Sequence, residues 1–404
     1  MKITTKERQN MATIKLYDES AYNTEFSAEI VSAGEVDKEE RLPVIFDKTL
    51  FFPEEGGQTC DRGTVSINGR EFTVDHVSID KANTITHFIH IENESDIALF
   101  KSGTKVSGKI NFNHRFSNMQ QHTGEHIFSG LVCGEKGYNN VGFHLSDDIV
   151  TMDYSGPLTD DEIAYFEKKA NEVIYRNIEV KCEYPSAEEL KNINYRSKIE
   201  IEGSVRIVTI PGVDVCACCA PHVRRTGEIG MLKVMDHINY KGGTRLSILC
   251  GYRALAAFNS YAASLKSISN TLSESKENLA ESVTKLKKEK GDADYKLRKK
   301  SGEILALKAA NIPADAENVT LFTDECDVNE VRKLINELTE KHSGFVSVYT
   351  GTDESGYSYI IGSKGRDCTE MAKVLKEKYG AKGGGKREMI QGHVAAPMKE
   401  LYSL

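Results

Sequence analysis

Two short, widely separated stretches carry the side chains best suited to chemistry: Gln121-His122-Thr123-Gly124-Glu125-His126 and Cys216-Ala217-Cys218-Cys219-Ala220-Pro221-His222. In the first, two imidazoles lie four residues apart inside a helical pattern. Positions i and i+4 share a helix face, so both rings can point at one atom. The second offers a thiol and an imidazole at the same spacing, on a stretch that Pro221 keeps from being regular helix. Cys218 is preferred over Cys216 and Cys219 because it alone keeps that spacing to His222. His122, His126, Cys218 and His222 together form a nitrogen and sulfur set suited to Zn2+. The first stretch is not H-E-x-x-H, since Glu125 precedes the second histidine, so metalloprotease geometry does not transfer. Four protein ligands characterise a structural zinc, whereas a catalytic zinc keeps a position open. Gln121 and Glu125 are the polar side chains nearest the metal motif and the candidates for a catalytic role, although a helix turns Glu125 about 100° away from His126.

The rest of the chain bounds what this site can serve. A length of 404 residues allows two to four domains. No apolar run of about eighteen residues exists, so no membrane span is expected. Met1 to Asn10 is polar and lacks a signal-peptide core, and Met11 is an alternative start. Nine cysteines without an export signal point to reduced thiols and a cytoplasmic protein. A net charge of -8 argues against nucleic-acid binding over the whole surface but allows a local basic face.

Positioning elements follow from pattern. Residues 11–110 read as all-β, with short runs such as Ala12 to Tyr17 and Gly63 to Ile67, and Asn68-Gly69 as a hairpin turn. Between them, Phe51 to Gln58 is either a surface loop or a loop whose glycines admit another chain or a ligand. His114 to about Cys133 reads as a helix with one buried stripe, Phe116, Met119, Thr123, Ile127 and Leu131, stopped at Gly134. A β-rich stretch from Gly142 to Tyr154 and a helix from Thr159 to Arg176 follow. Thr226 to Gly230 reads as a turn, Met231 to Met235 as a strand, Asn239 to Gly243 as a loop and Arg245 to Cys250 as a strand. From Gly251 to about Ala310, Leu265, Leu272, Leu279 and Leu286 recur every seven residues, which suggests a coiled coil or a helical hairpin, with Gly291-Asp292 either its turn or only a weak spot in one long helix. A homodimer through that seam is expected. Residues 312–404 read as a compact α/β domain. Between Lys364 and Arg387 stand eight Lys/Arg against three acidic residues. Lys364, Arg366, Lys382, Lys386 and Arg387, around turns and the glycines 383–385, are the candidate phosphate contacts.

These residues resemble the editing domain of alanyl-tRNA synthetase and its free-standing AlaX relatives. The family pairs H-x-x-x-H with C-x-x-x-H, matching His122, His126, Cys218 and His222. The likeness extends to Pro53 to Gln58 with Asp61 and Gly63, to Thr151-Met152-Asp153, to Thr226 to Gly230, and to the glycines 383–385. It implies an α+β multidomain fold: an N-terminal β-barrel (1–110), an α/β zinc editing core (111–251), a long helical coiled-coil segment (252–311) and a C-terminal α/β DHHA-type domain (312–404). It further implies a zinc-dependent hydrolase acting in trans on mischarged alanine tRNA, chiefly seryl-tRNA and sometimes glycyl-tRNA, with Gly56, Gly57, Gln58 and Asp153 at the substrate. A pocket sized for alanine rejects an added hydroxyl poorly, which is the physical reason for a second, hydrolytic sieve. Two departures stand out. Cys218-Cys219-Ala220-Pro221-His222 replaces the family's C-G-G-T-H, and Glu55 stands where a third glycine is common. The competing readings are a tRNA-binding protein with a structural zinc, and an esterase or amidase acting on a small amino-acid derivative.

Overall fold

The computed structural model describes residues 12–197 and 204–404. The N-terminal stretch read above for start site and signal lies outside the described residues. The chain divides into two compact units, Met1–Ser264 and Leu265–Leu404.

The first unit opens with a closed barrel. Its strands are β1 (Glu25–Ala33), β2 (Arg41–Phe46), β3 (Gly63–Ile67), β4 (Arg70–Ile79), β5 (Ile85–His90) and β6 (Lys105–Ile110). They run in the order β1-β2-β5-β4-β3-β6, with β6 closing on β1. Alternation drives it: Leu42, Val44 and Phe46 of β2 point inward with Val65 and Ile67 of β3. Asn68 and Gly69, both at positive φ (52° and 83°), make the β3–β4 hairpin turn as expected. The run Ala12 to Tyr17 departs from expectation, since only Ile14–Lys15 is strand and Leu16–Glu19 is a short helix that buries Tyr17.

Helix α1 (Phe112–Lys136) is the hub of the unit. Asn111 caps it by accepting from the His114 amide, and Gly137, left-handed at φ 70°, ends it. The stop therefore falls one turn beyond Gly134. Nor is one stripe buried: every residue from Asn118 to Gly130 is inside. Around α1 pack helix α2 (Asp160–Tyr175) and two sheets. One sheet has the order β12-β13-β8-β7, built from β7 (Asn140–Leu145), β8 (Val150–Tyr154), β12 (Leu232–Tyr240) and β13 (Gly243–Cys250). The other is β9 (Lys181–Glu183), β10 (Ile207–Ile210) and β11 (Asp214–Ala217), in that order. The expected loop Asn239 to Gly243 is mostly strand, with the turn confined to Lys241 and Gly242.

Helix α3 (Gly251–Leu272) leads toward the second unit, and α4 (Leu279–Ala310) belongs to it. Of the two readings of Gly291-Asp292, a turn or a weak spot in one helix, the second holds, because α4 runs unbroken through that residue. The break lies instead between Leu272 and Leu279, where Ser273 takes a φ of 51°. This splits the heptad register between two helices. Leu279 is buried, while Leu265, Leu286 and Leu307 are exposed. The second unit is completed by a five-stranded sheet, β14-β15-β16-β18-β17, with helices on both faces. Its elements are β14 (Val319–Thr323), α5 (Val328–Thr339), β15 (Val346–Thr352), β16 (Gly356–Gly362), α6 (Cys368–Tyr379), β17 (Lys382–Lys386) and β18 (Met389–Val394). Period-two alternation assigns Leu321, Val348 and Ile360 to the α4–α5 face, and Phe322, Tyr349 and Ile361 to the α6 face. The glycines 383–385 are strand rather than loop, paired in order with Gly392, Gln391 and Ile390 of β18.

No helix among the described residues is long and apolar enough to cross a membrane.

Candidate metal centre

His122 and His126 sit one turn apart on α1, and Cys218 and His222 lie on the irregular segment after β11. The fold brings all four together, with their ligand atoms within 4.8 Å of one another. The Cys218 Sγ is 3.5 Å from His122 Nε2 and 3.4 Å from His222 Nε2. A tetrahedral zinc with ordinary Zn–N and Zn–S bonds places its sulfur and nitrogen ligands about 3.5 Å apart. The donor set therefore has the right elements, and these two sulfur–nitrogen separations match that spacing.

The outer nitrogens of the three rings are each held. His122 Nδ1 lies 2.8 Å from Gln58 Oε1, His126 Nδ1 2.9 Å from Asp214 Oδ2, and His222 Nδ1 3.0 Å from Thr123 Oγ1. Gln58 Oε1 and the Asp214 carboxylate only accept, so His122 and His126 each carry a proton on Nδ1 and present Nε2 to the metal group. Burial opposes a charge on His126, but Asp214 outweighs it and makes the imidazole strongly basic. Burial likewise pushes the Cys218 thiol up, yet the adjacent His122 ring brings it well below the ordinary thiol range. Burial depresses His222 to about 3, which keeps its ring neutral. A thiolate among imidazoles is what a zinc site requires.

Each supporting residue has a local reason for its place. In β11 the period of two turns Asp214 and Cys216 to one buried face. Arg196 pairs with both Asp214 oxygens, Nε to Oδ1 at 2.7 Å and Nη2 to Oδ2 at 2.8 Å, and so balances that carboxylate. Gln58 arrives from the barrel. Its loop docks on β7 through Thr59 N to Leu145 O (3.1 Å) and Leu145 N to Gly57 O (2.7 Å). Gly57 is obligatory there, since φ is 82° and a Cβ would meet the Phe143 carbonyl oxygen at 2.5 Å. The root of the loop is a fully buried ion pair, Asp61 with Arg115 of α1. Arg115 also donates to Ala21 O at 3.0 Å and Leu50 O at 2.6 Å, and Asp61 accepts from Phe52 N at 2.7 Å.

The other expected site residues fall as follows. Glu125 is buried, with Oε1 accepting from Ser129 Oγ (2.7 Å) and Asn140 Nδ2 (2.5 Å). Its Oε2 lies 3.9 Å from His126 Nε2, the metal-facing nitrogen, so the helical turn does not carry it away from the centre. Gln121 is spent elsewhere: its amide donates to Cys250 O at 2.8 Å and accepts from Cys250 N at 2.6 Å, tying α1 to β13. Asp153 lies on the β8 face opposite buried Met152 and Tyr154, paired with Arg245 at 2.6 Å. The structure thus joins Gln58 and Glu125 to the metal group and leaves Gln121 and Asp153 outside it. Gly56, at φ 63°, stands beside Cys219 Sγ, 3.5 Å from where its Cβ would be. In the second unit, Lys364 pairs with Glu340 and Arg366 with Glu317. Lys382 and Lys386 bracket the fully exposed edge strand β17, on one face by alternation, and Arg387 follows. Asp214, Arg196, Thr123, Ser129 and Asn140 were not anticipated. The spacing Asp214, Cys216, Cys218 was the available signal for Asp214.

Comparison with known proteins follows the same line. Residues 2–114 match the family model described as tRNA synthetases class II (A), and residues 205–247 match the threonyl and alanyl tRNA synthetase second additional domain. The second match contains Cys218 and His222. The alanyl-tRNA editing protein AlaX-L of Pyrococcus horikoshii is 26% identical over 96% of both chains. The chain resembles the long alanyl-tRNA editing proteins. Alanine–tRNA ligases of Methanobrevibacter smithii and Pyrococcus furiosus are 26% and 28% identical over 89% and 95% of this chain. The chain spans only 41% and 42% of those ligases, against 96% of AlaX-L.

Proposed function

We propose that the protein is a zinc-dependent hydrolase that removes a wrongly attached amino acid, serine foremost, from alanine tRNA. The observation that carries this reading is the His122, His126, Cys218 and His222 group, closed to zinc dimensions in a chain that tracks AlaX-L over 96% of its length. A Zn2+ held by His122, His126, Cys218 and His222 would supply positive charge to stabilise the charge developing on the ester carbonyl. The chain's own residues do the rest. Gln58, Asp214 and Thr123 fix the rings. Glu125, oriented by Ser129 and Asn140, takes the proton of the attacking water and returns it to the departing ribose oxygen. The expected result for Glu125→Gln is a fall in kcat of about 10²- to 10⁴-fold with metal content unchanged. Full turnover by this variant would remove Glu125 from the chemistry. A second reading, tRNA binding with a structural zinc, is favoured by the four protein ligands. It requires that the wild-type protein turn over no aminoacyl-tRNA.

Contact with tRNA is assigned to the basic edge of the second unit. Lys382, Lys386 and Arg387 lie on or beside the exposed strand β17, while Lys364 and Arg366 already have acidic partners. Each neutralised phosphate contributes about 0.7–0.9 to the slope of log affinity against log salt. Replacing the three by alanine is expected to weaken tRNA binding and flatten that slope by about two. Cleavage of a minimal seryl-adenosine ester should stay at the wild-type rate. An unchanged slope would show that these charges only keep the unit soluble.

A further inference from the structure

The segment that carries Cys218 and His222 has no helix or strand of its own between Cys218 and Val223. A metal ligand on irregular backbone needs an external fixture, since an error of even half an ångström degrades a coordination site. The segment also exposes its own carbonyls to a buried environment, and a buried carbonyl without a donor is costly.

Arg206 meets both needs. It lies just before β10, with its side chain only 6% exposed. Its Nη1 donates to Cys218 O at 3.0 Å and to Ala220 O at 2.8 Å. One guanidinium nitrogen thus bridges the carbonyls on either side of Cys219. The backbone adds a return contact, Cys218 N to Arg206 O at 3.0 Å. The guanidinium is itself oriented from the other side. Asp18 Oδ1 stands 3.9 Å from its Nε, and the Tyr184 hydroxyl donates to Asp18 Oδ2 at 2.9 Å. A planar fork with fixed donors suits this task better than a flexible ammonium.

We infer that Arg206 is the positioning residue of the metal loop: its guanidinium sets the path of Cys218 to Ala220 and thereby the place of the Cys218 sulfur. Among the described residues it hydrogen-bonds no ligand side chain and acts through the backbone carbonyls of Cys218 and Ala220. The inference rests on reading His122, His126, Cys218 and His222 as a metal group.

The test uses the full chain with Co2+ as a spectroscopic probe and Zn2+ in competition with a chelator. Arg206→Met keeps an unbranched stem of similar reach to the arginine methylenes and removes the donating nitrogen. Its metal affinity should fall about 10- to 100-fold, the usual cost of losing an outer-shell support, and its Co2+ thiolate absorption should shift or weaken. Arg206→Lys keeps a donor but not the fork, and should fall between wild type and Arg206→Met. A merely structural role would lower the unfolding temperature yet leave the affinity and spectrum of the folded protein unchanged, and that result overturns the inference. If Arg206→Met does not fold, Arg206→Lys decides: a wild-type affinity and spectrum would reject the inference. Wild-type protein that binds no metal would instead contradict the metal reading itself, and this inference with it.

Discussion

Protein carrying Cys218→Ala is expected to lose its metal and to deacylate at least about a thousandfold more slowly. The estimate takes several kcal/mol of charge stabilisation from the metal, with each 1.36 kcal/mol worth tenfold in rate. Cys218 is the only sulfur in the four-residue group, and alanine leaves three neutral imidazoles to hold a dication alone. The affinity for tRNA should change less than twofold, because the basic edge around β17 is on the other unit. Metal content and tRNA binding measured on the same preparation check both halves. Retention of a full equivalent of zinc would show that Cys218 is no ligand. Binding lost in step with turnover would show that the two functions are not divided.

The largest effect on stability is expected away from the metal, at Asp61 and Arg115. Both side chains are 0% exposed, so neither charge can recover hydration if its partner is removed. Breaking such a pair costs about 3–5 kcal/mol, which for a unit of this size lowers the unfolding temperature by roughly 6–20 °C. Asp61→Asn should show this loss. The double variant Asp61→Leu with Arg115→Met should recover part of it, because it leaves no buried charge unpaired. Denaturant titration of the wild type, Asp61→Asn and the double variant makes the comparison. A single variant within about 1 kcal/mol of wild type would mean that water or another group compensates. Asp61 also anchors the loop that delivers Gln58 to His122, so Asp61→Asn should weaken metal binding as well.

What could be read from the sequence was governed by local period. The i, i+4 spacing placed His122 and His126 on one face of a helix, and the same count linked Cys218 to His222. The Asn68-Gly69 turn followed from turn chemistry, and the α/β character of residues 312–404 was legible from the same local patterns. What could not be read was long-range. Gln58 is 64 positions from His122 and Asp214 is 88 from His126, and no local rule reports such pairings. The buried face of α1 was underestimated because polar residues line it: Asn118, Gln120, Gln121 and Glu125 are all inside, each taken up by a partner that a hydrophobic stripe does not reveal. Glu125 was turned away by an ideal helical angle, yet a long side chain reaches back to the His126 ring. The heptad leucines were in phase by number but not in space, because a non-helical Ser273 interrupts them. The glycines 383–385 suggested a loop by composition and became an edge strand because β18 pairs with them residue for residue.

The most direct test of the central claim is a side-by-side deacylation assay of the intact, zinc-loaded protein on seryl-tRNA and alanyl-tRNA, both carried by alanine tRNA, repeated after chelation. The account predicts rapid release of serine, much slower release of alanine, and loss of both with the metal, restored when Zn2+ is returned. Stoichiometrically metal-loaded protein that binds the tRNA but releases neither amino acid would contradict it.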